Sequence, residues 1–294
     1  MRREEFAAMA ADRLLFLDGA MGSNLVKKGM PKNICTEAWI LEHGELILEL
    51  QKQYCDAGSD IVYAPTFAAN RISLRKHGKE NEVERLNRGL VELSRRAVGK
   101  SALIAGDITT TGELLEPLGE LSEEELAETY REQVSVLAGA GVDLLVAETM
   151  LSVAETRVAL RSALEVSELP VICTLTVQED GRALFGGSAG EAVEILQAEG
   201  ASAVGVNCSV GPDQLLNVVE TMKQVAKIPL VVKPNAGLPA TDGEGNPVYQ
   251  MQPQEFAAHM KRLVEAGADL IGGCCGTTPE FIRALRRAIP AQRP

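Results

Sequence analysis

The sequence predicts a (β/α)8 TIM barrel, an α/β fold in one domain, and the pattern of its apolar residues indicates this fold. Eight short apolar runs alternate with segments of helical periodicity, which is typical of parallel strands joined by helical crossovers. The runs are nearly continuous, as expected when both faces of a sheet are covered. They are residues 14–20, 61–67, 103–109, 144–150, 171–177, 203–209, 230–237 and 270–276. Eight units favour a closed barrel, with an open doubly wound sheet as the alternative.

A weak repeat supports the same arrangement. Four segments join the end of a predicted helix to a strand through a glycine: AGSDIV (57–62), AGVDLL (140–145), EGASAV (199–204) and AGADLI (266–271). We predict that these glycines end helices in the left-handed conformation. No linker divides residues 1–294, so we expect one domain with a helical extension at 1–13, an enlarged loop at 21–45 and a tail at 289–294.

Composition excludes several classes of protein. The chain of 294 residues has a net charge of −12 and no dense run of Lys or Arg, which argues against a nucleic-acid or anionic-membrane partner. It has neither an apolar run of about 18 residues, the length of a membrane span, nor the apolar stretch of a signal peptide. We therefore expect a cytoplasmic protein.

Polar side chains concentrate where the predicted strands end. In a barrel those ends converge on one rim, where active sites are built. The residues are Asp18, Thr66, Asp107, Glu148, Thr176, Asn207, Cys208, Asn235, Cys274 and Cys275. Stability alone does not explain ten such side chains at one rim, so we expect the site there.

Three of the six cysteines form a candidate metal site. Cys208 ends the sixth strand, and Cys274 and Cys275 end the eighth within a glycine-rich bend, GGCCG (272–276). Glycine permits the backbone turn that aims both neighbouring sulfurs inward. Three thiolates and an open position are typical of catalytic zinc; a vicinal redox pair, or small residues filling a bend, are the alternatives. The other cysteines, which stand singly, are expected to be buried residues or free thiols.

Such a zinc site has a definite chemistry. A substrate thiol that enters the open position loses its proton, because coordination favours the thiolate. The thiolate remains nucleophilic and can attack an electrophilic methyl group. No histidine base is required, and we expect His43, His77 and His259 to lie away from the rim.

The sequence resembles the homocysteine S-methyltransferase family, and within it most closely the homocysteine-binding domain of cobalamin-dependent methionine synthase. The resemblance runs from residue 17 to residue 280. It is carried by LDGAMGS (17–23), PTFAAN (65–70), GDITTTGELLEPLG (106–119), AETM (147–150), GVNCSVGP (205–212), KPNAG (233–237) and GGCCGTTPE (272–280).

The resemblance implies a function and a set of site residues. It implies zinc (Zn2+) held by Cys208, Cys274 and Cys275, with the Zn-bound thiolate of homocysteine or a related thiol accepting a methyl group to give methionine. Asn235 matches the position that can occupy the open site before substrate arrives. The positions around the amino-acid part of homocysteine are matched by Asp18, Gly19, Glu148 and Asn207.

The methyl donor is left open by the resemblance. The chain has no room for folate- or cobalamin-binding modules, so methylcobalamin would come from a separate corrinoid protein or domain, or a sulfonium compound or betaine would serve instead. The chain also departs from the family at Thr109-Thr110, where Gly-Pro is usual, and at Ser23 and Val177. These positions lie on or near the rim that faces a donor.

Two other functions are alternatives. A barrel lyase or aldolase could use Lys233 as a Schiff base and GGS (186–188) as an anion site at a helix N-terminus, but the three cysteines would then be unexplained. A homocysteine-binding module without activity of its own, part of a larger methionine synthase, is the other.

Overall fold

The computed structural model describes residues 1–241, 243 and 247–292, and it confirms the predicted barrel. Eight parallel strands follow the eight apolar runs of the sequence. They are β1 (Leu15–Phe16), β2 (Ile61–Tyr63), β3 (Leu103–Ile108), β4 (Leu144–Met150), β5 (Val171–Leu175), β6 (Ala203–Cys208), β7 (Leu230–Pro234) and β10 (Leu270–Ile271). A two-stranded antiparallel hairpin, β8 (Ala240–Thr241) and β9 (Pro247–Val248), follows β7.

The barrel closes between its first two strands, which rules out the open sheet. Hydrogen bonding runs in the order β1-β10-β7-β6-β5-β4-β3-β2. A parallel bridge pairs Leu17 with Ile61, and the Asp60 N–H donates to the Phe16 carbonyl at 2.6 Å. The carboxyl ends of all eight strands therefore lie on one rim.

Twelve helices lie outside the strands in the described part of the chain. They are α1 (Arg3–Asp12), α2 (Gly22–Lys27), α3 (Thr36–Glu42), α4 (Gly44–Ala57), α5 (Arg71–Arg75), α6 (Val83–Val98), α7 (Glu123–Gly139), α8 (Val153–Val166), α9 (Ala189–Ala198), α10 (Leu216–Val225), α11 (Pro253–Glu265) and α12 (Pro279–Ala288). A 3-10 turn, Pro212–Gln214, precedes α10. None of these helices is long and apolar enough to cross a membrane.

The glycines between helices and strands have positive φ values, as predicted. The glycines of the four repeated segments, Gly58, Gly141, Gly200 and Gly267, have φ values of +105°, +84°, +100° and +116°. Side chains with a Cβ rarely adopt these values. The same turn is therefore used at four places around the barrel.

The barrel interior is filled by apolar side chains and closed at its N-terminal end. Leu15, Ile61, Val146 and Val231 belong to this inner cluster, and Phe6 of α1 is fully buried against it. The two ends of the chain meet there, because the Leu14 N–H donates to Ala291 at 2.9 Å. Residues 293–294 of the predicted tail lie outside the described residues. The opposite end of the barrel is left free for a site.

Candidate three-cysteine metal centre

The fold brings the three predicted cysteines together. Cys208 is the last residue of β6, whereas Cys274 and Cys275 follow β10. Their three sulfurs lie within 4.8 Å of one another, and the Cys208 and Cys275 sulfurs are 3.8 Å apart. Cys35, Cys55 and Cys173 are free and lie outside this cluster.

A strained turn aims Cys208 at its partners. Cys208 and Ser209 have φ values of +59° and +51°, which residues with a side chain seldom adopt. Hydrogen bonds hold the turn: the Ser209 hydroxyl accepts from the Val177 N–H at 2.6 Å, and the Ser209 N–H donates to Thr176 Oγ1 at 3.1 Å. Backbone strain of this kind persists where the surroundings fix it, and it is often found at functional sites.

The Cys274-Cys275 bend is fixed by close backbone packing. Its N–H and C=O groups bond to the end of β7: Cys274 N–H donates to Pro234 O at 2.7 Å, and Ala236 N–H donates to Cys275 O at 2.9 Å. Gly276 has φ +84°, and a Cβ there would lie 2.3 Å from the Tyr249 ring. The flanking glycines thus serve two needs, a left-handed turn at Gly276 and close approach at Gly272 and Gly273.

The sulfur cluster fits zinc. In a tetrahedral site with Zn–S bonds of about 2.3 Å, two sulfurs lie about 3.8 Å apart, which matches the separation of Cys208 and Cys275. Soft thiolates select zinc over magnesium or manganese. Three ligands would leave one position for substrate.

The thiols are electrostatically coupled. Hydrogen bonds from Cys208 and Cys274 lower the pKa of Cys275 to about 3. The same contacts, together with burial, raise the pKa of Cys208 far above its ordinary range. Three adjacent thiolates repel one another, so a cation is needed to hold all three charges at neutral pH.

The cysteines line a cavity of about 650 Å3 at the carboxyl ends of the strands. Asp18, Gly19 and Glu148, three of the predicted substrate residues, line it as well, together with Asp107 and Lys233. Much of the remaining lining comes from two segments, 21–45, which contains α2 and α3, and 65–77 after β2, and includes apolar residues such as Met21, Met30, Ile34 and Phe67. The enlarged loop after the first strand therefore forms part of the site.

Burial raises the pKa of the acidic groups in this cavity. The pKa of Glu148 rises to about 7, against the attraction of Lys233. Asp107 has a pKa well above its usual range, first from burial and then from the nearby charge of Glu148. The contact between these two carboxyls raises the pKa of Asp107 and lowers that of Glu148, so Asp107 holds the shared proton.

Two predicted site residues lie behind the cavity lining. Asn207 donates to Glu148 Oε2 at 3.2 Å and to Thr149 Oγ1 at 2.8 Å, while its Oδ1 accepts from the Thr149 N–H at 2.7 Å. These bonds engage Asn207 in orienting the end of β4. Asn235 donates to the Ser209 carbonyl at 3.1 Å, and its buried Oδ1 lacks a hydrogen-bond partner within the described residues.

Gly19 has a packing reason for being glycine. A Cβ there would lie 2.7 Å from the Tyr54 hydroxyl and 2.8 Å from Thr277 Oγ1. Thr277 also accepts from the Ala20 N–H at 3.0 Å, which ties the segment after β1 to the cysteine bend. Sequence reasoning missed Tyr54 and Thr277, since neither stands at a strand end.

Hydrogen bonds explain why Thr109-Thr110 can stand where Gly-Pro was expected from the resemblance. Thr109 Oγ1 donates to the Glu148 carbonyl at 2.8 Å, and Thr110 Oγ1 donates to Glu155 Oε2 at 2.8 Å. Glu155, which is 6% exposed, also accepts from the Tyr130 hydroxyl at 2.9 Å. These bonds pin the loop after β3 to α7 and α8.

One histidine lies closer to the site than predicted. His77, just beyond α5, lines the cavity, because the segment after β2 contributes several residues to the cavity wall. His43 instead stacks on Trp39, with ring centroids 4.1 Å apart. His259 lies on α11, as expected.

The two groups that a Schiff-base lyase would need, a nucleophilic lysine and an anion site, are both occupied by contacts within the protein. Lys233 forms an ion pair with Asp18, Nζ to Oδ1, at 3.2 Å. Burial lowers its pKa, but Asp18 and Glu148 more than offset this and raise it well above the ordinary value, so the amine is not nucleophilic. At the N-terminus of α9, Glu191 accepts from the Ser188 N–H at 2.8 Å and so occupies the place of an anion.

Comparison with known proteins identifies relatives along nearly the whole chain. The family described as homocysteine S-methyltransferase matches residues 15–289. Methionine synthase from Mycobacterium leprae (strain TN) is 27% identical over 95% of this chain, and the chain spans 24% of that protein's length.

Solved structures agree with the barrel. The homocysteine methyltransferase MmuM from Escherichia coli is 25% identical, with a TM-score of 0.79 for its oxidized form, covering 94% of this chain and 96% of that one. Its metallated form gives 0.77 over the same shares. The carboxyl transferase domain of Rhizobium etli pyruvate carboxylase, at 15% identity and a TM-score of 0.55 over 98% of this chain and 49% of that one, shares the fold alone.

Proposed function

The chain belongs to the homocysteine S-methyltransferase family, and from that premise we propose that it methylates the homocysteine thiol to give methionine, with zinc held by Cys208, Cys274 and Cys275. The observation that carries this proposal is the convergence of three sulfurs within 4.8 Å on the wall of a cavity. When bound, zinc supplies the Lewis acidity that favours a substrate thiolate over the thiol. MmuM, solved in a metallated form, supports a metal in this fold.

The remaining site residues bind and orient the amino acid. Glu148, with Asp107, offers a buried negative charge to the ammonium group. Asn207 acts as a positioning residue, since it hydrogen bonds to Glu148 at 3.2 Å. Gly19 lets the backbone line the cavity where a side chain would clash. Asn235 lies just behind the lining, and its buried Oδ1, which has no hydrogen-bond partner among the described residues, makes it the candidate for the open position before substrate arrives.

Two classes of methyl donor are candidates. Similarity to a methionine synthase supports a methyl-corrinoid brought by another protein or domain. A small donor taken up directly, such as a sulfonium compound or betaine, is the alternative. In either case the methyl group reaches the acceptor sulfur from the mouth of the cavity. The cavity lining is largely apolar, and such a lining favours the exclusion of water from that path.

Turnover with defined donors tests the proposal. Zinc-loaded protein is incubated with homocysteine and methylcobalamin, S-methylmethionine or betaine, and methionine is measured. We expect turnover with one donor class and its loss in Cys208→Ser. No methionine from any donor, despite stoichiometric zinc, would contradict the proposal and favour a binding module without activity of its own.

A further inference from the structure

Four hydrogen bonds join the segment after β1 to the cysteine bend. They are Gly273 N–H to Asp18 O at 3.0 Å, Ala20 N–H to Thr277 Oγ1 at 3.0 Å, Gly276 N–H to Ser23 Oγ at 3.2 Å and Asn24 Nδ2 to Thr277 O at 2.8 Å. Residues 18–24 and 273–277 are therefore one hydrogen-bonded unit, although 253 residues separate Asn24 from Thr277 in the chain.

Asn24 is the buried side chain at the centre of these contacts. It is 8% exposed, and its Nδ2 also donates to the Ala20 carbonyl at 2.7 Å and to the Tyr54 hydroxyl at 3.3 Å. The Tyr54 hydroxyl donates in turn to the same carbonyl at 2.6 Å. One side-chain amide thus holds α2 against α4 and against the residues that follow the cysteine bend.

Thr277 connects Asn24 to the metal-binding cysteines. Its Oγ1 donates to the Cys274 carbonyl at 2.7 Å, while its own carbonyl accepts from Asn24. Thr277 is fully buried, so breaking these bonds would leave buried polar groups without partners, which is unfavourable. A shift of the cysteine bend is therefore opposed by, and felt at, the contacts of Asn24.

The segment that follows Asn24 is a weakly held part of the cavity wall. Residues 28–35 contain no helix or strand, yet Met30 and Ile34 line the cavity. Except for Met30, residues 26–33 are exposed, so few buried contacts hold this stretch. On its far side, Glu37 Oε1 accepts from the Ala68 N–H at 2.9 Å. The order of this stretch thus depends on how firmly its two ends are anchored.

A metal at the three cysteines would fix the end that Asn24 anchors. Cys208 belongs to β6, whereas Cys274 and Cys275 belong to the bend, so a shared ion would bond the bend to a second strand. Such a bond limits the motion of the bend and, through Thr277, of Asn24. Order gained at one site lowers the cost of ordering the other.

We propose that Asn24 is a positioning residue that couples the cysteine centre to residues 24–35, so that metal binding orders this wall of the cavity. The inference rests on the metal site of the proposed function. Because coupling between two sites is reciprocal, an ordered wall also tightens metal binding. A complete cavity for the acceptor then forms together with the metal centre.

Hydrogen exchange of the metal-free and zinc-loaded protein tests this coupling. We expect the amides of residues 24–35 to exchange about tenfold more slowly with zinc, a typical size for coupling between sites. Residues 99–102, a turn between α6 and β3 at the opposite end of the barrel, are the internal control and should not respond.

Asn24→Ala should remove most of the effect of zinc on residues 24–35. The ratio of exchange rates without and with zinc should fall to within about twofold of unity, and zinc, measured by competition with a chelator, should bind roughly tenfold more weakly. A purely structural role would speed exchange by the same factor in both states and leave the ratio unchanged. Thr277→Val, which removes the hydroxyl at the other end of the network, replaces Asn24→Ala if that variant does not fold.

The outcomes separate the inference from the function beneath it. In Cys208→Ser, which loses a ligand, added zinc should leave the exchange of residues 24–35 unchanged. Equal exchange with and without zinc in fully loaded unaltered protein, or the full effect of zinc retained in Asn24→Ala, would overturn the role of Asn24 while the proposed function stands. An unaltered protein that binds no zinc would remove the metal site of the proposed function, and the inference with it.

Discussion

The Cys208 and Cys275 sulfurs lie 3.8 Å apart although 67 residues separate them in the chain. This distance is the edge of a tetrahedral site with bonds of about 2.3 Å from zinc to sulfur. Two strands that are not consecutive in the sequence, β6 and β10, deliver the pair, with β7 between them. The barrel thus holds these sulfurs at the spacing that a zinc ion would require.

Zinc content should depend on Cys208. We expect about one zinc per chain in the unaltered protein and its loss in Cys208→Ser, because a hydroxyl is a much poorer ligand for zinc than a thiolate. Elemental analysis after dialysis measures the content. Cys55→Ser, at a free half-buried cysteine outside the cluster, is the matched control and should keep the metal. Zinc retained in Cys208→Ser would refute this ligand assignment.

Gly276→Ala should destabilise the cysteine bend for two reasons. The residue has φ +84°, and an added Cβ would lie 2.3 Å from the Tyr249 ring. We expect a loss of unfolding free energy of about 2–4 kcal/mol in denaturant titrations, from backbone strain plus overpacking, together with weaker zinc binding.

Gly78→Ala separates the two causes, since Gly78 has φ +65° but open space around its Cβ. It should show only the backbone cost, about 1 kcal/mol. Equal losses in the two variants would show that Tyr249 does not constrain the bend.

Thr110→Val should destabilise the protein without altering acceptor binding. The change removes a hydrogen bond of 2.8 Å to the buried Glu155, which costs on the order of 1–2 kcal/mol. Denaturant titration measures the loss, and the Kd of homocysteine should stay within about twofold, well under one hydrogen bond's contribution. A large rise in that Kd would mean that the loop after β3 contacts the acceptor.

The raised pKa of Glu148 should contribute to the pH dependence of stability. Burial raises its pKa from the ordinary value of 4.5 to about 7, so between these values the folded protein binds more protons than the unfolded chain. Stability from this group is present at low pH and is lost as pH rises through about 7. In metal-free protein, Glu148→Gln should flatten the decline in unfolding free energy between about pH 5 and pH 8, by on the order of 1–2 kcal/mol.

Glu92 is exposed, so Glu92→Gln serves as the control for Glu148→Gln. It should leave the slope of unfolding free energy against pH unchanged. The same slope in Glu148→Gln and the unaltered protein would assign the pH dependence to other groups.

Local sequence patterns predicted the backbone elements that carry the site. The eight strands, the left-handed glycines and the strand-end positions of Cys208 and Glu148 follow from periodicity and from the conformational freedom of glycine. Such features depend on neighbours in the chain, so the sequence displays them directly.

Pairings between distant residues were not predictable in this way. Lys233 meets Asp18 because the side chain of one strand crosses the barrel, and His77 lines the cavity because the segment after β2 contributes to its wall. Asn207 ends a strand like Glu148, yet its hydrogen bonds turn it toward Thr149 and Thr174. These outcomes depend on side-chain direction in three dimensions, which spacing along the sequence does not specify.

Proton release on homocysteine binding tests the central claim most directly. Titration calorimetry of zinc-loaded protein near neutral pH, in buffers of different ionisation enthalpy, counts the protons released. The account predicts close to one proton per homocysteine bound, because the acceptor thiol becomes a thiolate at the cysteine centre, and no such release in Cys208→Ser. Homocysteine that binds without releasing a proton would contradict it.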